Sequence, residues 1–506
     1  MITTPLPAGS LRATSLNASR RADDLSAVAE SEVDLLVVGG GVIGAGVALD
    51  AAARGLAVAL VEAEDLACGT SRWSSKLIQT DLTTGDLGPA REQAVERGVL
   101  MTRTAPHLVR TLPRLVPLHD SVSRGNELLL STALRAGDAL RRAARTPSSA
   151  LPAPRRIPAA EALALVPGLR SAGLRGGLLS FDGQLIDDAR LVVALARTAA
   201  GFGARILTRV RAESLDRDGV DAVDERSGSP LRIRARSVVN ATGVWAGRLA
   251  PEVRLRAARG VHLVIDADAA GLAGTAVFAP PLMLLPQPDG RAYLGSTEEE
   301  VLPLVPDSTS TRESDVDTLL ASANEVLGEP LRREHVLGSF AGLRAIPEKR
   351  RTFRRPAVQT SPEGVVTVIG SGLTTYRRAA ADAVDSAIEA SGMPAGPSRT
   401  SAVALVGAAR RDQLSDIEAT ARLVGKYGTE AVRVAALSEL DPDLADPVAP
   451  GLTAAEVLWA VRHEGALDVD DVLDRRSRLG LDPRAREAAL PAVAEVVDRA
   501  LEGVWA

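Results

Sequence analysis

A chain of 506 residues is long enough for two or three domains with sizeable cores. Its net charge of −5 and its 2 % aromatic content exclude a general attraction to nucleic acid and a base-stacking surface. The single cysteine, Cys68, excludes an internal disulfide and fits a reducing compartment, and no apolar run is long enough to span a membrane.

Residues 1–30 read as a loose arm with a short helix, Arg21 to Glu30, and without the apolar core of a signal peptide; a cytoplasmic protein is expected. Val33 to Val38 is a buried parallel strand interrupted only by Asp34, and it runs straight into Gly39-x-Gly41-x-x-Gly44. A helix from Ala45 to Arg54 with a small-residue face follows. Gly55 stops it, and a second buried strand, Ala57 to Val61, closes on Glu62. Each part has a physical task. Gly39 permits the turn, Gly41 lets the backbone approach a pyrophosphate, and Gly44 lets helix and strand pack closely. The helix N-terminus offers free N–H groups to the phosphates, and Glu62 can accept both ribose hydroxyls. Strand, glycines, helix, strand and acid in this order predict a dinucleotide site.

The next segment, Asp65 to Ile78, is rich in glycine and small hydroxyl residues, of the kind that can donate to phosphate; read alone, it also fits a surface turn. Ala204 to Leu207 reads as a further strand, with the Val210 backbone near an adenine. Ser237 to Asn240 is another buried strand ending in the turn Ala241-Thr242-Gly243, where doubly wound sheets bind ligands. Val365 to Ile369 repeats the arrangement, running through Gly370-Ser371-Gly372 into a helix from Thr374 to Ala390. Strands are also expected at His262–Ile265 and Arg291–Gly295, and an exposed connection at Arg145 to Arg156. Helices dominate from about 406 onward, at Ser415 to Tyr427, Ala454 to His463 and Arg484 to Leu501.

Gly39 to Glu62 followed by Gly69-Thr70-Ser71-Arg72-Trp73-Ser74-Ser75-Lys76-Leu77 resembles the FAD-dependent glycerol-3-phosphate dehydrogenases, members of the D-amino-acid-oxidase-like flavoproteins. Further matching pieces are Asp182 to Leu191, Asn240 to Ala246, Gly342-Leu343-Arg344, Leu373 to Arg377, and Val461 to Glu464 with Asp474-Arg475-Arg476. The resemblance, over roughly residues 31 to 490, implies noncovalent FAD. It also implies a phosphorylated polyol substrate, glycerol 3-phosphate, and a quinone or other electron acceptor met at a peripheral membrane contact. Whether the chain forms a homo-oligomer is left open.

The expected fold is α/β. A discontinuous Rossmann-like FAD-binding domain (31–85, 201–250 and 346–405) follows the arm and is interleaved with an α+β substrate domain (86–200 and 251–345). A C-terminal helical domain (406–506) completes it. The cofactor-binding candidates are Gly39, Gly41, Gly44, Glu62, Thr70, Ser71, Ser74, Ser75, Lys76, Val210, Ala241, Gly243, Gly370, Gly372, Leu373 and Thr374.

Hydride removal from a secondary alcohol needs an acceptor, a base for the hydroxyl proton and a clamp. His262, in Arg259-Gly260-Val261-His262-Leu263, matches the family's glycine-x-histidine strand and is the candidate base. Arginine's fork suits a phosphate, and Arg344 and Arg354 match the family's arginines. His107 and His463 read as structural histidines in helical contexts, His119 and His335 carry no pattern, and no metal cluster is expected. The chain departs from the family after Ile78. Gln79-Thr80-Asp81-Leu82 stands where His-Gly-Gly-Leu-Arg-Tyr-Leu is usual, and the late motif lacks its lysine before Leu373. An FAD oxidoreductase of another substrate, or a catalytically impaired flavin-binding paralogue, therefore stays open as an alternative.

Overall fold

A computed structural model describes residues 10–82, 86–301, 305–347, 356–370 and 372–505. The strand β1 (Val33–Val38) has only Asp34 partly exposed, and that carboxylate accepts from the Ala57 N–H at 2.8 Å. The helix α1 (Val42–Ala53) follows, with all but one of its twelve residues buried, and then β2 (Val58–Glu62). In the sheet, β1 lies between β2 and the strand Ser229–Asn240, parallel to both. Beyond β2 comes Arg205–Thr208; beyond Ser229–Asn240 come Val366–Ile369 and the antiparallel edge strand Ala357–Thr360. The strand order therefore reverses at β1. Open α/β sheets bind their ligands at such a reversal, here the carboxyl ends of β1 and Ser229–Asn240.

Helices α1, Asp188–Gly201 and Tyr376–Ser391 cover one face of this sheet, sharing one apolar core. Small residues let them approach: a Cβ on Gly46 of α1 would lie 3.2 Å from the ring of Tyr376. The helix Ala18–Glu30 and the ribbon Val210–Asp216 with Gly219–Asp224 cover the other face around Val28, Val220 and Ile233.

The second sheet is mostly antiparallel. Its long pairs are Val109–His119 with Leu174–Leu185, and Leu255–Asp266 with Val336–Pro347. Two segments cross the boundaries drawn from sequence. Asp188–Gly201 packs on α1 in the nucleotide-binding layer, because its face of Ala, Val and Leu is buried there. Leu77–Ile78 pairs instead with Gln184 and Gly183 of the second sheet.

The C-terminal helices, among them Ala454–His463 and Pro483–Leu501, pack around Trp459, Leu458 and Val493. The expected helix from Ser415 to Tyr427 is divided into Arg411–Ser415 and Ala421–Tyr427. Buried ion pairs join this domain to the nucleotide-binding layer. Arg197 grips Glu430 with two bonds of 2.6 and 2.9 Å, Arg190 pairs with Glu464, and Asp65 receives both Arg475 (2.7 Å) and Arg476 (2.8 and 2.9 Å). Removing one partner of such a pair typically costs about 3–5 kcal/mol. The arm docks as well, with Ser15 Oγ 2.7 Å from His463 Nδ1 and Asn17 donating to the Arg462 carbonyl at 3.2 Å.

Candidate active site

The turn after β1 admits no side chain at Gly39 or at Gly44. Gly39 has φ +111°, and a Cβ on it would lie 2.6 Å from the Ala241 carbonyl oxygen; on Gly44 it would lie 1.8 Å from the Gly39 carbonyl oxygen. Gly41 precedes α1, whose Val42 N–H donates to Ser71 Oγ at 2.9 Å, so the hydroxyl-rich loop lies against the helix N-terminus. Glu62 turns back over the glycines: it accepts from the Gly40 N–H at 2.5 Å and the Glu64 N–H at 3.0 Å. Burial pushes its carboxyl above the usual range. The Arg209 N–H donates to the Glu64 carbonyl at 2.9 Å, which sets Val210 beside that edge.

From this turn the other candidates follow in contact. The Ala241 N–H donates to the Val38 carbonyl at 2.8 Å, and Gly243 has φ +63°. Thr70 Oγ1 donates to the Leu343 carbonyl at 2.6 Å, and Gly370, with φ +67°, approaches the Ala345 carbonyl on the same strand. Thr374, in the turn Leu373–Thr375 after Gly372, brackets Gln79, with Oγ1 3.3 Å from its N and 3.4 Å from its carbonyl oxygen. Ser74 donates twice to Asp188, at 3.1 and 2.6 Å, while Ser75 is half-buried next to it. A glycine cradle at a helix start, an acid above it and a band of small hydroxyl residues leading to the second sheet fit an extended dinucleotide such as FAD.

The band ends on one face of the second sheet. Ala258 pairs with Arg344, Gly260 with Gly342 and His262 with Phe340, so these side chains share a face, with His262 also opposite Gly295. The two glycines between histidine and arginine let Trp73 and the Arg344 guanidinium pack close over the strands: a Cβ on Gly342 would lie 2.8 Å from Trp73, and one on Gly260 3.1 Å from the guanidinium. Gly295 is required, since a Cβ there would lie 2.3 Å from the His262 ring. Phe340 stacks on His262 at 4.9 Å, and Trp73 stacks on Phe340 at 5.7 Å. Both ring nitrogens of His262 are buried and lack a hydrogen-bond partner among the described residues. Burial, with the charges of Lys76 and Arg344, pulls its pKa down to about 3. Lys76 is itself fully buried, its Nζ 3.1 Å from Asp188 and above the rings of Tyr293 and Phe340. Burial opposes its charge, but Asp188, Tyr293 and Asp187 outweigh that and hold the ammonium above the usual lysine value. The neutral imidazole is thus a vacant proton acceptor in a positive field. Arg354 lies outside the described residues.

Known proteins share this plan. A family model described as "FAD dependent oxidoreductase" matches residues 34–385, and one described as "C-terminal domain of alpha-glycerophosphate oxidase" matches residues 398–505. Glycerol-3-phosphate dehydrogenase 1 of Mycobacterium tuberculosis is 45% identical over 509 residues, covering 96% of this chain and 98% of that one. The chain belongs to the FAD-dependent glycerol-3-phosphate dehydrogenase family. Its cofactor is FAD. The aerobic glycerol-3-phosphate dehydrogenase of Staphylococcus aureus is 28% identical over 88% of this chain and 86% of its own length. The structure of the glycerol-3-phosphate dehydrogenase of Bacillus halodurans, complexed with FAD, superposes with a TM-score of 0.73 over 97% of both chains at 25% identity.

Against the family plan, the altered loop is tied down: besides Gln79 on Thr374, the Asp81 N–H donates to Gln93 Oε1 at 2.7 Å. Sequence reasoning assigned no role to the group that braces Lys76. Asp188 bonds it directly, and Arg478 from the C-terminal domain reaches Tyr293 OH at 3.4 Å and Gln287 Oε1 at 3.1 Å. Neither the burial of Lys76 on Asp188 nor the position of Arg478 has a local signal in the sequence.

Proposed function

We propose that the protein oxidises sn-glycerol 3-phosphate at C2 to dihydroxyacetone phosphate and passes the electrons to a quinone. The observation that carries this reading is His262, with two unpartnered ring nitrogens, on the same sheet face as Arg344. Gly39, Gly41, Gly44, Glu62, Ser71, Val210, Ala241 and Gly243 would hold the adenosine diphosphate half of FAD. Thr70, Ser74, Ser75, Lys76, Gly370, Gly372, Leu373 and Thr374 would flank its flavin half. FAD, when bound, supplies the hydride acceptor.

The remaining chemistry belongs to side chains of this chain. Arg344, with Arg354, binds the substrate phosphate and fixes the carbon skeleton. His262 accepts the C2 hydroxyl proton at a ring nitrogen. Its low proton affinity in the free protein comes from burial and from the charges of Lys76 and Arg344; a phosphate dianion on Arg344 would offset that arginine's charge and raise the affinity. The aromatic wall of Phe340, Tyr293 and Trp73 excludes water from the reacting carbon. Both curated relatives are named dehydrogenases, which favours an acceptor other than dioxygen, whereas the C-terminal family model carries the name of an oxidase.

Steady-state turnover of sn-glycerol 3-phosphate with a soluble quinone tests the reading. His262→Ala should lower kcat by about 10²–10⁴-fold, the usual contribution of a positioned base, with FAD content unchanged. Native kcat in that variant removes His262 from the mechanism, and turnover faster with dioxygen than with quinone removes the acceptor assignment.

A further inference from the structure

A cleft of about 440 Å³ opens where the strand Val109–His119 meets the C-terminal helices, and it shares no residue with the His262 face. Its lining includes the apolar Leu414, Ile417 and Val424 and the polar Arg110, Arg411 and His107, with no carboxylate among the lining residues. The guanidinium of Arg411 donates to the Val109 carbonyl at 3.0 Å. That of Arg110 donates to Gln184 Oε1 at 2.7 Å and the Pro286 carbonyl at 2.5 Å. Neither arginine forms an ion pair among the described residues. Asp289, the acid whose charge reaches Arg110, is taken by Arg291 at 2.5 Å and Arg478 at 2.7 Å. His107 is buried, and its Nδ1 has no hydrogen-bond partner among the described residues.

The mostly buried Arg110 guanidinium, with no ion pair among the described residues, costs desolvation that an anion would offset, and the forks of both arginines match a carboxylate or phosphate head. The volume is within the range of small-molecule sites, and much of the remaining lining is hydrocarbon. We infer that this cleft binds an anionic amphiphile, its head on Arg110 and Arg411 and its apolar chain against Leu414, Ile417 and Val424. The occupant is separate from the redox substrate. Since Gln184 pairs with Leu77, next to Lys76, the site abuts the catalytic layer from behind.

The test is calorimetric titration of the FAD-loaded full-length protein with octanoate, octyl phosphate, 1-octanol and acetate. Octanoate or octyl phosphate should bind saturably, one per chain, and the tighter of the two identifies the head group. Octanol, lacking charge, and acetate, lacking a chain, should bind at least tenfold more weakly. Arg411 is exposed, so Arg411→Gln should keep its FAD and its turnover yet weaken binding of the anion at least tenfold. Ile417→Glu, which puts a carboxylate in the lining, should abolish it. Octanol binding as tightly as octanoate, absence of saturable binding by both anions, or native affinity in either variant overturns the inference.

Discussion

Gly44→Ala is a single-methyl perturbation of the nucleotide turn. The added carbon would lie 1.8 Å from the Gly39 carbonyl oxygen, and real Cβ contacts do not fall below 3.0 Å, so α1 or the turn must shift by more than an ångström. The obstructing atom is backbone, and α1 is buried along almost its whole length against Tyr376–Ser391 and Asp188–Gly201. Overpacking of that kind costs about 1–3 kcal/mol, against a gain of about 1 kcal/mol from replacing a helical glycine by alanine. Moving the helix start would also withdraw the N–H groups proposed to hold the pyrophosphate. Hydrogen bonds to charged groups contribute about 1.5–3 kcal/mol each, so losing one weakens FAD binding about 10- to 100-fold. Titration of apoprotein with FAD, followed by flavin fluorescence, measures that loss; urea unfolding measures the stability. Gly41→Ala is the control, because its Cβ would meet only the rotatable Ser71 hydroxyl at 3.1 Å. It should leave the apoprotein as stable as the native chain while still weakening FAD. A Gly44→Ala protein with native FAD affinity and native stability refutes the reasoning.

Arg344→Gln should raise the KM for glycerol 3-phosphate by about 10- to 100-fold, the effect of truncating one charged contact, with bound FAD unchanged; an unchanged KM rejects the clamp. His262 should stay neutral from pH 8 down to 5 in histidine-labelled NMR spectra, and Lys76→Met should raise its pKa, since Lys76 helps depress it. The linked sign is that of a lowered folded-state value: the unfolded chain takes up a proton near pH 6.5 that the native chain refuses until about pH 3. His262 therefore costs stability on acidification through that window, on the order of 4 kcal/mol in full. A resonance titrating near 6.5 contradicts this. Asp65→Ala leaves Arg475 and Arg476 buried without their shared carboxylate, and should lower the unfolding free energy by about 3–5 kcal/mol in urea titrations. A loss under 1 kcal/mol means the pairs do not anchor the C-terminal domain.

The parts legible in sequence are those where local geometry dictates the residue. Gly39 is called for by its own φ of +111° and Gly44 by the Gly39 carbonyl in the same turn, and Glu62 stands at the end of β2, so the nucleotide site could be read from a short stretch. His262 was legible only as one of five histidines with a family context; its vacant nitrogens depend on Gly295, thirty-three residues on, and on Phe340. Lys76 shows what sequence withholds: a lysine in a hydroxyl-rich loop gives no sign that it lies buried on Asp188, which is 112 residues away. The ion pairs of Asp65 with Arg475 and Arg476 span more than 400 residues. Such pairs follow from how the domains close, which no local pattern records.

The central claim is that one pocket joins FAD to a base and a phosphate clamp. Mixing the yellow FAD-loaded protein anaerobically with sn-glycerol 3-phosphate, and recording the flavin band, tests it most directly. The account predicts prompt bleaching by this substrate. A flavin that dithionite reduces but sn-glycerol 3-phosphate leaves oxidised contradicts it.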